Sequence, residues 1–173
     1  AMCAKTDVFA LPFLDPPTRY AVKDAQEYLR SIDAFDEKNT PTDLGKQLFQ
    51  LPIDHALGRL LIEAKSSGLL KSIIPLCAAL SVRGSIFKGA TQDDEEENIR
   101  KDHCDLQSLI RSMLSPHPNQ VYKQAYQDGR TTMKRLQDLW KIDECTFPDN
   151  LEDIALCIIR AWPSCVHTFP FHS

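Results

Sequence analysis

The sequence predicts a mainly α chain in two parts: a small domain over residues 11–68, made of helices around a β wing, and a helical bundle over residues 69–173. Three observations carry this. Apolar residues recur three and four apart through most of the chain, the period of a helix with one buried face. Only residues 34–40, with Ala34-Phe35 and Thr40 on either side of the polar Asp36-Glu37-Lys38-Asn39, read as short paired strands. Pro- and Gly-containing breakers cut the remainder into pieces of helix length.

Residues 1–10 are expected to be an N-terminal tail, with Ala1 before Met2 read as a tag scar. Asp15-Pro16-Pro17 opens the first helix, residues 18–32, whose inward face is Val22, Ala25, Tyr28, Leu29 and Ile32. After the wing, Thr40-Pro41-Thr42-Asp43 has the capping-box form with Pro at the first helical position, so a second helix runs from Pro41 to about Gln50. Leu51-Pro52 interrupts the chain. Asp54 then caps a third helix that buries Leu57, Leu60, Leu61 and Ala64 and stops at Ser66-Ser67-Gly68.

Residues 73–80 are nearly all apolar, so this helix has no polar face and belongs at the centre of the second part. Residues 83–100 read as a mobile acidic loop around Asp93-Asp94-Glu95-Glu96-Glu97, whose charge is expected to be solvated rather than to hold a cation. Asp102 is expected to cap a helix with Leu106, Leu109, Ile110, Met113 and Leu114 inward, ended by Ser115-Pro116-His117-Pro118-Asn119. Residues 121–141 form one long helix or a pair bent near Gly129. The last helix, residues 150–161, buries Leu151, Ile154, Ala155, Ile158 and Trp162. No strand is expected beyond the wing.

At 173 residues and 43% hydrophobic, the chain can bury a real core, and no run of about eighteen apolar residues offers a membrane span. The six cysteines contain no CxxC pair. Cys77, Cys104 and Cys157 fall in apolar helical patterns, and all six are read as reduced thiols of a cytoplasmic protein. A net charge of −4 exerts no global pull on nucleic acid, so such binding has to come from a local patch.

Catalytic and metal chemistry are sparse. There is no GxxxxGK[ST] loop to cradle phosphates and no GxSxG elbow, and the five histidines do not stand at metal-ligand spacing from the cysteines. One cluster remains. Lys123, Arg130, Lys134, Arg135 and Lys141, interspersed with Asp128 and Asp138 and close to Tyr122 and Tyr126, suit a single strand, because amines neutralise phosphates and rings stack on bases. The tyrosines sit at core spacing and read more simply as packing residues; Lys134 and Arg135 lie off the Met133, Leu136 and Trp140 face.

Phe13-Leu14-Asp15-Pro16-Pro17, residues 29–35, Thr40-Pro41-Thr42-Asp43-Leu44-Gly45, Leu51-Pro52-Ile53-Asp54 and Ala78-Ala79-Leu80-Ser81-Val82 stand in an order that resembles the region following the motor domains of DEAH-box RNA helicases. Lys101-Asp102-His103-Cys104-Asp105-Leu106 and Met133-Lys134-Arg135-Leu136-Gln137-Asp138 are similar to two later helices of that region. Ala161-Trp162-Pro163 is closer to the HrpB-like than the HrpA-like ending, although Ser164-Cys165 follows in place of Asp-Arg.

The resemblance implies a degenerate winged helix (small β wing) followed by a helical-bundle ratchet domain. It implies a parent that couples ATP hydrolysis, with Mg²⁺, to 3′-to-5′ movement on single-stranded RNA. RecA-like motor domains would precede this region and an oligonucleotide-binding barrel would follow it; this fragment would wall the RNA channel and hold no cofactor and no catalytic residue. Lys134 and Arg135, with Arg130 and Lys123, are then the expected RNA-backbone contacts. The alternative is a stand-alone winged-helix module that binds DNA or a protein. Against groove reading, the helix after the wing carries Lys46 as its one basic residue.

Overall fold

The computed structural model describes residues 7–87, 104–116 and 121–163. Among these are seven helices: α1 (Arg19–Ser31), α2 (Asp43–Gln50), α3 (His55–Ser66), α4 (Leu70–Leu80), α5 (Asp105–Leu114), α6 (Lys123–Trp140) and α7 (Leu151–Ala161), after a single 3₁₀ turn at Val8–Ala10. By contacts the chain divides into two compact units, residues 1–51 and 52–173. The sequence division at residue 68 followed the Ser66-Ser67-Gly68 stop, whereas α3 packs against α4 and α7.

In the first unit, the Thr18 hydroxyl accepts the Ala21 N–H and starts α1 just past the two prolines. The helix ends with Asp33 at φ 57, where the Ala34 N–H reaches the Leu29 carbonyl at 2.8 Å. The expected inward face is only partly covered. Val22, Leu29 and Ile32 are half-buried, Ala25 and Tyr28 are exposed, and no α1 side chain is fully buried. The spacing is amphipathic, but the unit supplies too little apolar surface to cover it.

The wing amounts to one antiparallel bridge, Phe35 to Pro41. Asp36 holds its turn, its carboxylate accepting the N–H groups of Lys38 and Thr40 at 2.9 and 2.7 Å. Pro41 has no N–H with which to extend a ladder, and Thr42 is already engaged. Its N–H meets the Ala34 carbonyl at 3.0 Å and its hydroxyl accepts the Gly45 N–H at 3.0 Å. The N-cap of α2 is therefore Thr42, two residues later than the capping-box pattern suggested, and Pro41 lies in the bridge.

The second unit is centred on α4, which packs against α3, α5 and α6. Ile73, Ile74, Leu76, Cys77 and Ala78 are inaccessible to solvent, as their unbroken apolar run predicts. Asp54 caps α3 through the Ala56 N–H at 2.8 Å. Gly68 at φ 73 closes that helix, with the Leu69 N–H bonded to the Ala64 carbonyl. Pro75 stands inside α4 and leaves the Lys71 carbonyl without its intrahelical donor. The backbone N–H of Thr146 supplies the missing bond at 3.1 Å, which pins the extended segment 142–150 across α4. The Arg111 guanidinium sits 4.7 Å from the Phe147 ring centroid on the same segment.

Of the two forms expected for residues 121–141, one continuous helix is found, and Gly129 is a packing glycine: a Cβ there would stand 3.0 Å from the Met113 sulfur and 3.4 Å from the Ala78 carbonyl oxygen. Other expectations are corrected. The N-cap position of α5 is Cys104, which is exposed; Asp102 lies outside the described residues. Buried Cys145 takes the core role expected of Cys104. A second bridge, Phe87 to Val121, joins the start of the expected loop to the residues just before α6, with Ile86 2% exposed; the acidic run Asp93-Asp94-Glu95-Glu96-Glu97 lies outside the described residues. On α7, Ala155 is exposed, and Cys157 and Ala161 join Ile154 in the core.

Candidate nucleic-acid interface

The cationic residues singled out from sequence all lie on or beside α6, and that helix is held from below. Met133 and Leu136 are 6% and 0% exposed against the core, and Gly129 admits Met113 and the α4 backbone at close range. Lys123, Arg130, Lys134 and Arg135 are all exposed. Among the described residues no ion pair engages any of the four.

Helical geometry sorts them. At about 100° per residue, Lys123, Arg130 and Lys134 fall within roughly 40° of one another and form a stripe about 16 Å long. Arg135 stands about 100° further round, directed away from the core. The structure thus brings three of the four cations onto one line and leaves Arg135 beside it. Tyr122 is 51% exposed at the head of the stripe, while Tyr126 packs on the core, so the two tyrosines divide between the stacking and packing readings.

The stripe runs into an open groove of about 540 Å³, lined by Arg130, Lys134, Gln137 and Asp138 of α6 and by Ile142 and Asp143 beyond it. Lys141, at φ 54, turns the chain there. Its N–H reaches the Asp138 carbonyl, and that of Ile142 the Gln137 carbonyl at 2.9 Å, the glycine-type helix stop built on a lysine. The Gln137 side-chain amide also donates to the carbonyls of Ile142 and Asp143, at 3.3 and 3.4 Å. Sequence reasoning missed Gln137, Ile142 and Asp143 as groove residues; the only local signal was Gln137 falling in the same helical stripe.

Because Lys141 occupies a left-handed conformation that costs a residue with a Cβ, Lys141→Gly should raise stability by about 1 kcal/mol, read as a higher urea midpoint. An unchanged or lower midpoint would show that the lysine side chain stabilises the turn by more than its backbone costs.

No group of His, Cys, Asp or Glu among the described residues is arranged to hold a metal ion. The buried thiols are chemically quiet. Burial pushes Cys145 and Cys157 up to about 11 from an ordinary 9.0, and Cys77, beside Cys157, higher still. Folded values above unfolded ones favour the thiol form, so this part of the stability is complete below pH 9.0 and is lost as pH rises through about 11. At about pH 8, iodoacetamide should modify Cys104 in the folded chain and leave Cys77, Cys145 and Cys157 unmodified until urea is added, as read by mass spectrometry. Rapid labelling of the three without denaturant would contradict their burial.

Residues 54–138 match the family described as helicase associated domain (HA2), ratchet-like. Curated relatives include the DExH-box ATP-dependent RNA helicase DExH3 of Arabidopsis thaliana, 34% identical over 57% of this chain and 9% of its own length. The probable ATP-dependent RNA helicase DHX34 of Homo sapiens is 33% identical over 51% of this chain and 8% of its length. The ATP-dependent RNA helicase HrpA of Escherichia coli is 33% identical over 44% of this chain and 6% of its length. The chain spans less than a tenth of the length of these relatives, and among the described residues no helix is long and apolar enough to cross a membrane.

Proposed function

Residues 54–138 are a helicase-associated, ratchet-like region similar to those of DExH/DEAH-box RNA helicases, and from that premise we propose that this chain holds single-stranded RNA along α6 while a motor elsewhere in the parent protein drives movement. The observation that carries the reading is the exposed stripe of Lys123, Arg130 and Lys134, none in an ion pair among the described residues, on a helix fixed to the core by Met133 and Leu136. Unpaired cations on a rigid element meet phosphates without giving up an existing partner. Arg135 flanks the stripe and adds to the local field.

In this reading ATP and Mg²⁺ belong to the RecA-like motor domains of the parent, an oligonucleotide-binding barrel completes the channel, and this chain supplies one wall and no catalytic group. The segment before residue 54 acts as a degenerate winged helix, whose wing bears on the motor as a lever. The four described cysteines are free thiols, three of them buried, which suits a cytoplasmic setting. A stand-alone DNA- or protein-binding module is the weaker reading, since the matched family and relatives are all helicase-associated. Arg130→Glu with Lys134→Glu in the parent should lower RNA-stimulated ATPase activity and unwinding while leaving the ATPase rate without RNA unchanged. Full RNA stimulation in that variant would remove the strand-holding role.

A further inference from the structure

The last helix carries more apolar surface than the core takes up. α7 turns Ile154, Cys157 and Ala161 inward, with Ile158 and Trp162 packed beside them. Leu156 and Ile159 are nonetheless 49% and 44% exposed, and Ala155 is exposed with them. At about 100° per residue these three fall within roughly 100° of one another, on a side of the helix that the buried residues do not share. Ile159 stands three positions from Leu156 and four from Ala155, so it neighbours both. Single exposed apolar residues are ordinary. A contiguous row, on a helix that already buries a different side, calls for a second cover.

The chain leaves α7 from a fixed point beside that row. The Trp162 indole N–H donates to the Ala56 carbonyl at 3.0 Å, and the Trp162 backbone N–H to the Ile158 carbonyl at 2.9 Å. Along the helix axis this anchor is about 5 Å from Ile159 and about 9 Å from Leu156. Residues 164–173, which lie outside the described residues, include Val166, Phe169 and Phe171 and contain no Asp, Glu, Lys or Arg, in a chain that is 25% charged. They lack the charge that keeps a segment in water. Ten residues reach up to about 33 Å, well beyond the distance needed. So short a tether holds the local concentration near the millimolar range, where even a weak contact is occupied.

We propose that residues 164–173 return along α7 and cover its second apolar face, Phe169 and Phe171 lying against Leu156 and Ile159.

The test is the rate at which chymotrypsin cuts the Phe171–His172 bond of the 173-residue chain, followed by mass spectrometry. Cutting of a docked segment tracks the fraction undocked, so the native chain should be cut at least about tenfold more slowly than a free peptide of residues 163–173. Leu156→Asp with Ile159→Asp alters two side chains outside the core and should bring the rate to within about twofold of the peptide, with helical circular dichroism unchanged. Should that variant unfold, Phe169→Ser with Phe171→Ser carries the test, and should raise the fluorescence of added ANS, a dye for exposed apolar surface, severalfold. Cutting of the native chain at the rate of the peptide would overturn the proposal, as would slow cutting that the Asp pair leaves unchanged or an absent dye response in the Ser pair. Slow cutting that holds only where sedimentation shows a dimer would overturn it in favour of a second copy of this chain on the face.

Discussion

Gly45→Ala should destabilise the first unit by about 3 kcal/mol, the upper end of the usual cost of overfilling a packed site. A Cβ at this position would overlap the Ala34 carbonyl oxygen and crowd the Ala34 backbone behind it. That carbonyl cannot step aside, because it accepts the Thr42 N–H at 3.0 Å, while the Thr42 hydroxyl donates to the neighbouring Asp33 carbonyl at 2.7 Å and ties the same turn to α2. The same hydroxyl caps α2 through the Gly45 N–H, so relieving the clash dismantles the cap as well. The unit has little stability in reserve: Ala34 and Leu48 are its buried apolar side chains, and α1 buries none. Limited proteolysis should therefore cut the variant within residues 19–50 under conditions that leave helices α3, α4, α5, α6 and α7 uncut. Gly68→Ala is the comparison, since Gly68 sits at φ 73 with nothing within 4 Å of an added methyl, and it should cost about 1 kcal/mol through backbone strain alone. Equal resistance of native and Gly45→Ala chains would show that α2 does not pack on Ala34 as described.

The second large effect is on RNA. Reversing Arg130 and Lys134 removes two phosphate partners and installs two repulsive charges, so single-strand binding by the chain at low salt should fall by at least about tenfold. The salt dependence should change with it. Each neutralised phosphate of a single strand contributes about 0.7 to the slope of log affinity against log salt, so two lost contacts lower the slope by about 1.4. Arg135→Glu, from a position about 100° off the stripe, should change the slope much less. A slope that depends equally on Arg135 and on Lys134 would indicate diffuse attraction to α6 rather than a strand laid along one line.

Much of the fold was legible in the sequence where a local signal and the final packing agreed. Asp54, the apolar faces of α3 and α5, the buried centre of α4 from Ser72 to Ala79 and the stop at Gly68 each follow from a cap, a period or a glycine that acts within one turn. What local signals left open or misplaced depends on partners distant in sequence. Gly129 allowed either a straight helix or a bend until Met113 and Ala78 are seen against it. Pro41 looked like a first helical residue because Thr40 and Thr42 offer equivalent caps; the Ala34 carbonyl decides for Thr42. Ala155 and Cys104 carry too little side chain for periodicity to settle which way they face. For the interface, residue type and spacing marked the four cations but could not separate the aligned trio from Arg135 without a continuous α6. Asp143 entered only through the tertiary hold of Gln137 on the segment after the helix.

The most direct test of the strand-holding role is photo-cross-linking of the chain to single-stranded RNA carrying 4-thiouridine, with the attached peptides identified by mass spectrometry. Strand holding along α6 predicts cross-links concentrated between residues 122 and 143, on the stripe and around the groove, and lost in Arg130→Glu with Lys134→Glu. Cross-links confined to α1, α2 or α7, or unchanged by that double reversal, would contradict it.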